Sequence, residues 1–466
     1  MKRKWLAGIL AMTLAIAMTA CGSSSSSSSS SEDSSEDSGD TESTESTETE
    51  ETESVELTTD YTVSNLEVKI WDNNQLAGLQ QIADEWTETS GVTVNIEVVD
   101  WDNYWTLLEA GASGGDMPDV FWMHSNTAQI YMENDLLLDL DPYIEADDSI
   151  NLDNYYEGVV DLYTRSDGVH YAIPKDHDTI ALLYNKAIFD EYGVEYPTDD
   201  WTWEDMYEAA AAITEASGGD VYGLAMDTSN NQDGWYNLVY GYGGTIITDD
   251  HTDTTLDSDE AKAGMEMVRQ LLTVATPQSV VSETGTDTLF ISGKAAMITQ
   301  GSWMILEYYQ AENAADYAWA MLPYADVNGN GECDEGERVS CYNGLGWAAS
   351  AATEDPNAAY SLISYFCSEE AQIEQAELGV TMGGMTGVSD YFANAFEGMD
   401  ITAFITIEEE GSLFFRPYTR NTTVWEDAIQ QSGAFLDAWL DPSDADLMST
   451  ACDNAAAIIR DAIADE

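Results

Sequence analysis

Residues 66–122 read LEVKIWDNNQLAGLQQIADEWTETSGVTVNIEVVDWDNYWTLLEAGASGGDMPDVFW, and this stretch decides the fold. Residues 66–71 alternate apolar and polar side chains, the period of a half-buried strand. Residues 79–89 place Leu79, Ile82, Ala83 and Trp86 on one face at helical spacing. Residues 92–98 alternate again, residues 104–110 suit a helix, and residues 118–122 suit a short buried strand. Strand, helix, strand, helix, strand in that order predicts an α/β fold with a mostly parallel sheet and helical crossovers. A second unit begins near Tyr184, with helices predicted over 203–215 and 258–272. No short-period repeat interrupts the pattern.

The whole chain has 466 residues, 44% of them hydrophobic, enough for more than one lobe. Its formal charge is -74, from 14 Lys+Arg against 88 Asp+Glu. That excludes nucleic acid as a partner, because phosphate binding needs cationic side chains to release counterions. It equally disfavours an electrostatic grip on anionic lipid. Past residue 20 no apolar run approaches a transmembrane length, so the bulk is expected to be soluble.

The N-terminus reads as an export signal. Lys2, Arg3 and Lys4 precede an apolar stretch over 5–18, which ends in Met18-Thr19-Ala20-Cys21-Gly22. This resembles a bacterial lipobox, so residues 1–20 are expected to be removed and Cys21 lipidated. Residues 21–60 follow as a tether. Residues 22–60 hold 13 acids and no aromatic, Lys or Arg, a composition that cannot bury enough apolar surface to order itself. The remaining body carries 75 acids and 11 bases, read as a solvated surface.

Four blocks in order carry a family resemblance. They are GDMPDVFW (115–122), YAIP (171–174) followed by Tyr184-Asn185-Lys186, Pro197 with TWEDM (202–206), and FISGKAAM (290–297) followed by Gly301-Ser302-Trp303. With the lipobox, they resemble the extracellular solute-binding lipoproteins of sugar ABC transporters, the maltose-binding-protein-like group. The resemblance implies a two-lobe periplasmic-binding-protein-like fold, with a ligand cleft between lobes that close by hinge motion. It implies three interlobe crossovers, near 173–176, 342–347 and 405–416. The first lobe would comprise 61–173 and 348–404, the second 174–347 and 405–466.

The implied function is capture of a mono- or oligosaccharide and delivery to the permease subunits of an ABC importer. The chain would act outside the cytoplasm as a monomer without catalysis, touching the membrane through its lipid anchor alone. A secreted carbohydrate-active enzyme and a cell-surface polymer-binding module are the alternatives. With 88 acids, carboxylate pairs of the kind a glycosidase needs carry no weight. No nucleophile elbow, His-Glu-x-x-His or P-loop appears.

Sugars stack their C–H faces on aromatic rings and bond their hydroxyls to planar polar groups. The body holds 13 of the 14 tryptophans, but a Trp is more often core than platform, so position has to decide. Trp122 and His124 end a strand, where open α/β sheets place ligands. Asn73, Asn74 and Gln75 follow the first strand, where turn chemistry is the competing reading. The resemblance assigns ligand contacts at both places. It also puts an acidic contact four residues after Pro174, at Asp178, and aromatic platforms at Trp235, Tyr236 and Trp303. Trp347 lies in the second crossover, and Arg416 and Trp425 at or past the third. Arg416 is one of few bases, with a fork able to grip two hydroxyls or a carboxylate, or to sit in a core ion pair.

Residues 326–337, DVNGNGECDEGE, fit a calcium-loop pattern. Asp326, Asn328 and Asn330 would offer side-chain oxygens, Glu332 its carbonyl, Gly331 the sharp turn, Asp334 a water-mediated contact and Glu337 both oxygens. Strands are predicted on both flanks, over 317–322 and 338–342, so the expected role of Ca²⁺ is to pin a hairpin. An acidic hairpin tip without metal is the competing reading. Cys333 and Cys341 lie close enough in sequence for a bridge outside the cell, whereas Cys367 and Cys452 read as buried thiols.

Overall fold

The computed structural model describes residues 55–466, so residues 1–54, with Cys21 and most of the tether, lie outside it. Ten strands are present among the described residues: β1 (Asn65–Ile70), β2 (Thr93–Val98), β3 (Val120–Met123), β4 (Ala172–Pro174), β5 (Ile180–Asn185), β6 (Met297–Gly301), β7 (Tyr317–Met321), β8 (Val339–Tyr342), β9 (Gly346–Ala349) and β10 (Ser412–Phe415). They form a five-stranded sheet in the order β2-β1-β3-β9-β4, a three-stranded sheet β6-β5-β7 and a pair β10-β8.

β1 runs parallel to β2 and β3, in a register that pairs Val68 with Ile96 on one side and Val120 on the other. Leu66, Val68 and Ile70 are fully buried, which is why the alternating pattern was legible. Helices α1 (Asn73–Ser90) and α2 (Trp101–Gly114) make the crossovers. Each starts on an aspartate cap, Asp72 accepting the Asn74 N–H and Asp100 the Asn103 N–H. α1 ends on Gly91 at φ 74, a left-handed position that favours glycine. Helix α3 (Ser125–Glu133) follows β3, with His124 at its cap.

The parallel expectation holds for β1–β3 and for β8–β10, where Phe414 pairs with Cys341. It does not hold for β9, which is antiparallel to both β3 and β4, nor around β5, which is antiparallel to both β6 and β7. Alternation along a strand reports which face is buried and carries no information on its neighbour's direction.

Each large sheet has its own core. Leu79, Trp86, Trp122, Trp347 and Phe366 belong to the first. Leu182, Trp203, Met265, Trp425 and Ile459 pack on the second. The chain crosses from β4 to β5 through residues 175–179, and from β8 to β9 through residues 343–345, in line with the first two expected crossovers. These two crossings run side by side, with Asp178 bridged to Asn343.

The third change of side comes earlier than the expected boundary after residue 404. Phe392, Phe396 and Phe404 already pack with Leu183, Ile298 and Trp319 of the second sheet. The Phe404 and Trp319 ring centroids are 4.8 Å apart. Apolar spacing shows that a helix has a buried face, not which sheet it covers. At the other end, Val55 already packs against the first core, five residues inside the expected tether. Among the described residues no helix is long and apolar enough to cross a membrane.

Candidate functional site

A cleft of about 610 Å³ opens where the two lobes meet. The first sheet's strand ends contribute Trp71, Asp72, Trp101 and His124, and α1 adds Gln75. The crossing segments contribute Asp176, Asp178 and Leu345. The second lobe brings Asn230, Asn231, Gln232 and Trp303, and the C-terminal region Arg416, Glu426, Asp427 and Gln430.

The aromatic walls follow from the backbone. Trp71 is the first residue past β1, and Trp101 opens α2 just beyond β2, so both rings stand at the carboxyl edge of the sheet. Their centroids are 5.1 Å apart, edge to face. Trp303, half-buried, lies against Gly301, where any Cβ would fall 1.8 Å from its ring. Glycine is therefore required at 301 for the tryptophan to lie flat there.

Beside these rings lies a bonded polar layer. Lys175, fully buried, donates to Asp176 at 2.5 Å and to Gln75 at 2.8 Å, and sits 4.5 Å from the centre of the Trp122 ring. Asp176 also accepts the Leu345 N–H at 2.6 Å, joining the two crossing segments. Burial, reinforced by the Asp176 charge, pushes the Asp178 carboxyl well above the usual carboxylate range. Burial likewise raises Asp72 and Asp427. Burial first, and then the Arg416 charge, push the His124 imidazole down to about 3. Its Nδ1 accepts the Asn126 N–H at 3.2 Å and lies 2.8 Å from Asn126 Oδ1, and its Nε2 lies 3.3 Å from Asn343 Nδ2.

Arg416 donates through Nη2 to both Glu426 oxygens, at 2.7 and 3.0 Å. The Tyr236 hydroxyl donates to the same carboxylate at 2.9 Å, and Trp235 Nε1 donates to Asn231 at 2.8 Å. The other terminal nitrogen, Nη1, is buried with no hydrogen-bond partner among the described residues. An unmet cationic donor in a cleft is costly until an acceptor arrives.

Of the sequence-predicted residues, Gln75, His124, Asp178, Trp303 and Arg416 line the cleft. Asn73 is exposed and Asn74 reaches across to Glu307 at 3.4 Å; both open α1 instead of forming a turn. Trp122 and Trp347 are fully buried in the first core, Trp347 stacked on Phe366 at 4.5 Å. Both lie inside strands of the five-stranded sheet, covered on each face. Trp425 is fully buried in the second core, donating to Thr419. Trp235 and Tyr236 are buried behind Asn231 and Glu426, positioning groups that line the cleft without lining it themselves. The readings of Trp122, Trp235, Tyr236, Trp347 and Trp425 as lining residues are corrected accordingly. Trp71, Trp101, Asp176 and Glu426 were missed. The strand-end rule applied to Trp122 and His124 would have found Trp71 had β1 been ended one residue sooner, and Trp101 had it also been applied to the segment after β2.

The loop over 326–337 is no hairpin tip: β7 pairs with β5 and β8 with β10, so it connects two sheets. Asp326 accepts the N–H groups of Asn330 and Gly331, and Glu337 those of Val327 and Asp334. Gly331 turns at φ 74. Among the described residues no three His, Cys, Asp or Glu groups converge to hold a metal; the loop's donor set draws also on two Asn amides and a carbonyl. Its oxygens are hard donors of the kind Ca²⁺ takes. Cys333 is exposed and Cys341 buried, both free, so the bridge is not formed; Cys341 belongs to the second core. Cys367 and Cys452 are buried free thiols, as expected.

Several known proteins are similar to this chain in sequence or in fold. A Brucella abortus (strain 2308) chain named only for binding is 24% identical over 252 residues, 52% of this chain and 59% of its own. The chain thus spans less than two thirds of the curated relatives it matches first. Among solved structures, a substrate-binding protein of Listeria monocytogenes in complex with cycloalternan superposes with a TM-score of 0.75 at 22% identity, covering 86% of this chain and 98% of that one. The GacH receptor of Streptomyces glaucescens, solved unliganded and with acarbose, gives 0.71 at 20% identity, covering 86% and 99%. The two-lobe binding-protein fold is common to all these structures. The family profile described as bacterial extracellular solute-binding protein matches residues 71–373, well over half of the sequence, and the chain belongs to that family.

Proposed function

We propose that this protein is an extracytoplasmic receptor that captures a saccharide between its lobes and hands it, unchanged, to an ABC importer. One observation carries the reading: Trp71, Trp101 and Trp303 share a single cleft with planar amide, carboxylate and guanidinium groups. Flat apolar faces beside planar hydrogen-bonding groups match the two chemistries of a sugar. Oligosaccharide complexes of structurally similar proteins support it. Calorimetry of the processed chain against neutral mono- and oligosaccharides tests it. Saturable binding with the sugar recovered intact is expected. No binding across the panel would sink the reading, and recovered cleavage products would favour the enzyme alternative.

Lipidation of Cys21 would hold the receptor at the outer face of the membrane, with residues 22–60 as an acidic spacer and a monomeric body beyond. Ca²⁺ in the loop over 326–337 would have a structural role away from the cleft, joining the two sheets that meet there. The spacing of its oxygen donors and the turn at Gly331 support that assignment.

A further inference from the structure

The crossing segment over 175–179 divides its side chains between two tasks. Asp176 and Asp178 line the cleft, whereas His177 and Thr179 bind the helix Ala403–Glu410. His177 Nε2 lies 2.8 Å from Glu408 Oε1, and the Thr179 hydroxyl donates to the Phe404 carbonyl at 2.8 Å. That helix packs on β7 and β10, and its Ile407 belongs to the second core. His177 Nδ1 lies 2.6 Å from the Gly383 carbonyl, and its backbone N–H donates to Met382 at 3.3 Å. Neither His177 nor Glu408 lines the cleft.

His177 is fully buried, and both of its ring nitrogens face oxygens. A carbonyl only accepts, so Nδ1 carries a proton. In a neutral ring Nε2 would then point a lone pair at the Glu408 carboxylate, and two acceptors this close and largely out of water repel. The contact holds only with one further proton. Two tyrosines also pack against the ring, Tyr156 at 4.2 Å and Tyr342 at 5.7 Å between centroids. Burial first, and then the Glu408 charge, push the Tyr156 hydroxyl up to about 12, and burial lifts that of Tyr342 further, so neither changes charge where histidines do. On the segment itself Lys175 is paired with Asp176, and Asp178 faces the cleft. Residues 380–388, which meet the ring at Met382 and Gly383, hold no acid, base, Cys or Tyr.

Resting on the saccharide reading above, we propose that His177 and Glu408 are positioning residues, an imidazolium–carboxylate pair that fastens the crossing segment to the second lobe and so holds Asp176 and Asp178 toward the sugar. Loss of the second ring proton as pH rises parts the pair, frees the segment and lowers affinity without any change in the groups that touch the ligand. Glu408→Gln separates the proton from the contact. Its amide N–H can donate to Nε2 of a neutral ring, so the segment stays fastened with no second proton.

Two measurements on the processed chain test this, both across the range in which histidines titrate, about pH 5 to 8. Nitrogen-15 spectra of histidine-labelled protein, with the His177 ring assigned through its backbone, count the ring protons. Calorimetry with glucose, maltotriose, cellotriose and mannotriose follows affinity. The ring should carry both protons at the acid end and lose one within the range. Affinity for whichever sugar binds should fall about tenfold over the same interval, and Glu408→Gln should lack that fall. Asp178 and the other cleft carboxyls are common to both proteins, so any pH effect of theirs appears in each. Should Glu408→Gln not fold, coincidence of the two midpoints in the wild type decides, and separate midpoints overturn the inference. A ring with one proton throughout, or an affinity whose pH course is the same in Glu408→Gln as in wild type, also overturns it and leaves the saccharide reading standing. No binding by any saccharide at any pH overturns both.

Discussion

Where a side chain sits along its strand decides whether it meets the ligand. Trp122 and His124 are two residues apart, yet Trp122 is enclosed between β1 and β9 while His124 lies just past the strand end. Trp71 is beyond β1 by one residue, and that places its ring in the cleft. Trp303 is the aromatic both expected from sequence and placed there. Trp303→Ala removes a stacking face from a half-buried ring that also packs at the margin of the second core. It should weaken saccharide binding about tenfold or more, roughly 1.4 kcal/mol, with a smaller loss in the stability of the free protein than truncating a fully buried tryptophan would cause. Titration calorimetry checks this, and wild-type affinity in a folded variant would remove Trp303 from the site.

At the scale of elements, aspartates at helix starts hold the lobes' pieces in place. Asp355 caps the helix Pro356–Cys367, accepting the Ala358 N–H at 3.0 Å. It also accepts the backbone N–H and hydroxyl of Thr62, at 2.5 and 2.8 Å, tying down the segment that leads into β1. Burial raises this carboxyl, but the bonds from Thr62 and Ala358 outweigh it and leave it below its ordinary 3.8. A depressed folded value means the carboxylate stabilises the fold above about 3.8 and loses that contribution as pH falls below it. Asp355→Asn should therefore destabilise the protein near neutral pH, by about 1 kcal/mol, because the amide keeps one accepting oxygen but loses the charge and the second acceptor that the bonds from Thr62 and Ala358 share. The gap from wild type should close in strong acid, as urea melts across pH would show; a gap independent of pH would contradict it.

The loop over 326–337 belongs to the same scale. Ca²⁺ added to chelator-stripped protein should raise the melting temperature, by the equivalent of about 2.7 kcal/mol at a hundredfold excess over Kd. Glu337→Gln should abolish that shift. No calcium heat and an unmoved melting temperature would leave a loop held by its own Asx turns.

For the molecule as a whole, bonds already cross between the lobes. Asn74 reaches Glu307 at 3.4 Å, His124 reaches Asn343 at 3.3 Å and Arg420 reaches Glu133 at 3.1 Å. A ligand touching both walls should favour the closed arrangement, since only that form contacts it from both sides. X-ray scattering should show a smaller radius of gyration at saturation, and an unchanged profile would count against closure. In cells, wild-type protein should fractionate with membranes and Cys21→Ala should appear in the medium or as unprocessed precursor. Membrane retention of that variant like wild type would remove the anchor.

The periodicities of residues 66–122 determined β1, α1, β2, α2 and β3, because local burial alternates or rotates with a period visible in one dimension. Motif order carried the family, and with it the first two crossovers. Strand direction around β5, the early return of residues 392–404 to the second lobe and the separation of β7 from β8 were left to tertiary structure. Each depends on which surface an apolar face finds, and many partners bury the same face equally well. The cleft divides in the same way. Asp178 and Trp303 were legible from position in a motif and Arg416 from its place at the third expected crossover in a base-poor body, whereas Glu426 and Asp427 come from the helix Thr422–Gln430, which no motif marked. Glu426 meets Arg416, ten residues earlier, only once the helix 422–430 folds back toward the strand before it, because a carboxylate in an acidic chain carries no local sign of the one guanidinium it will neutralise.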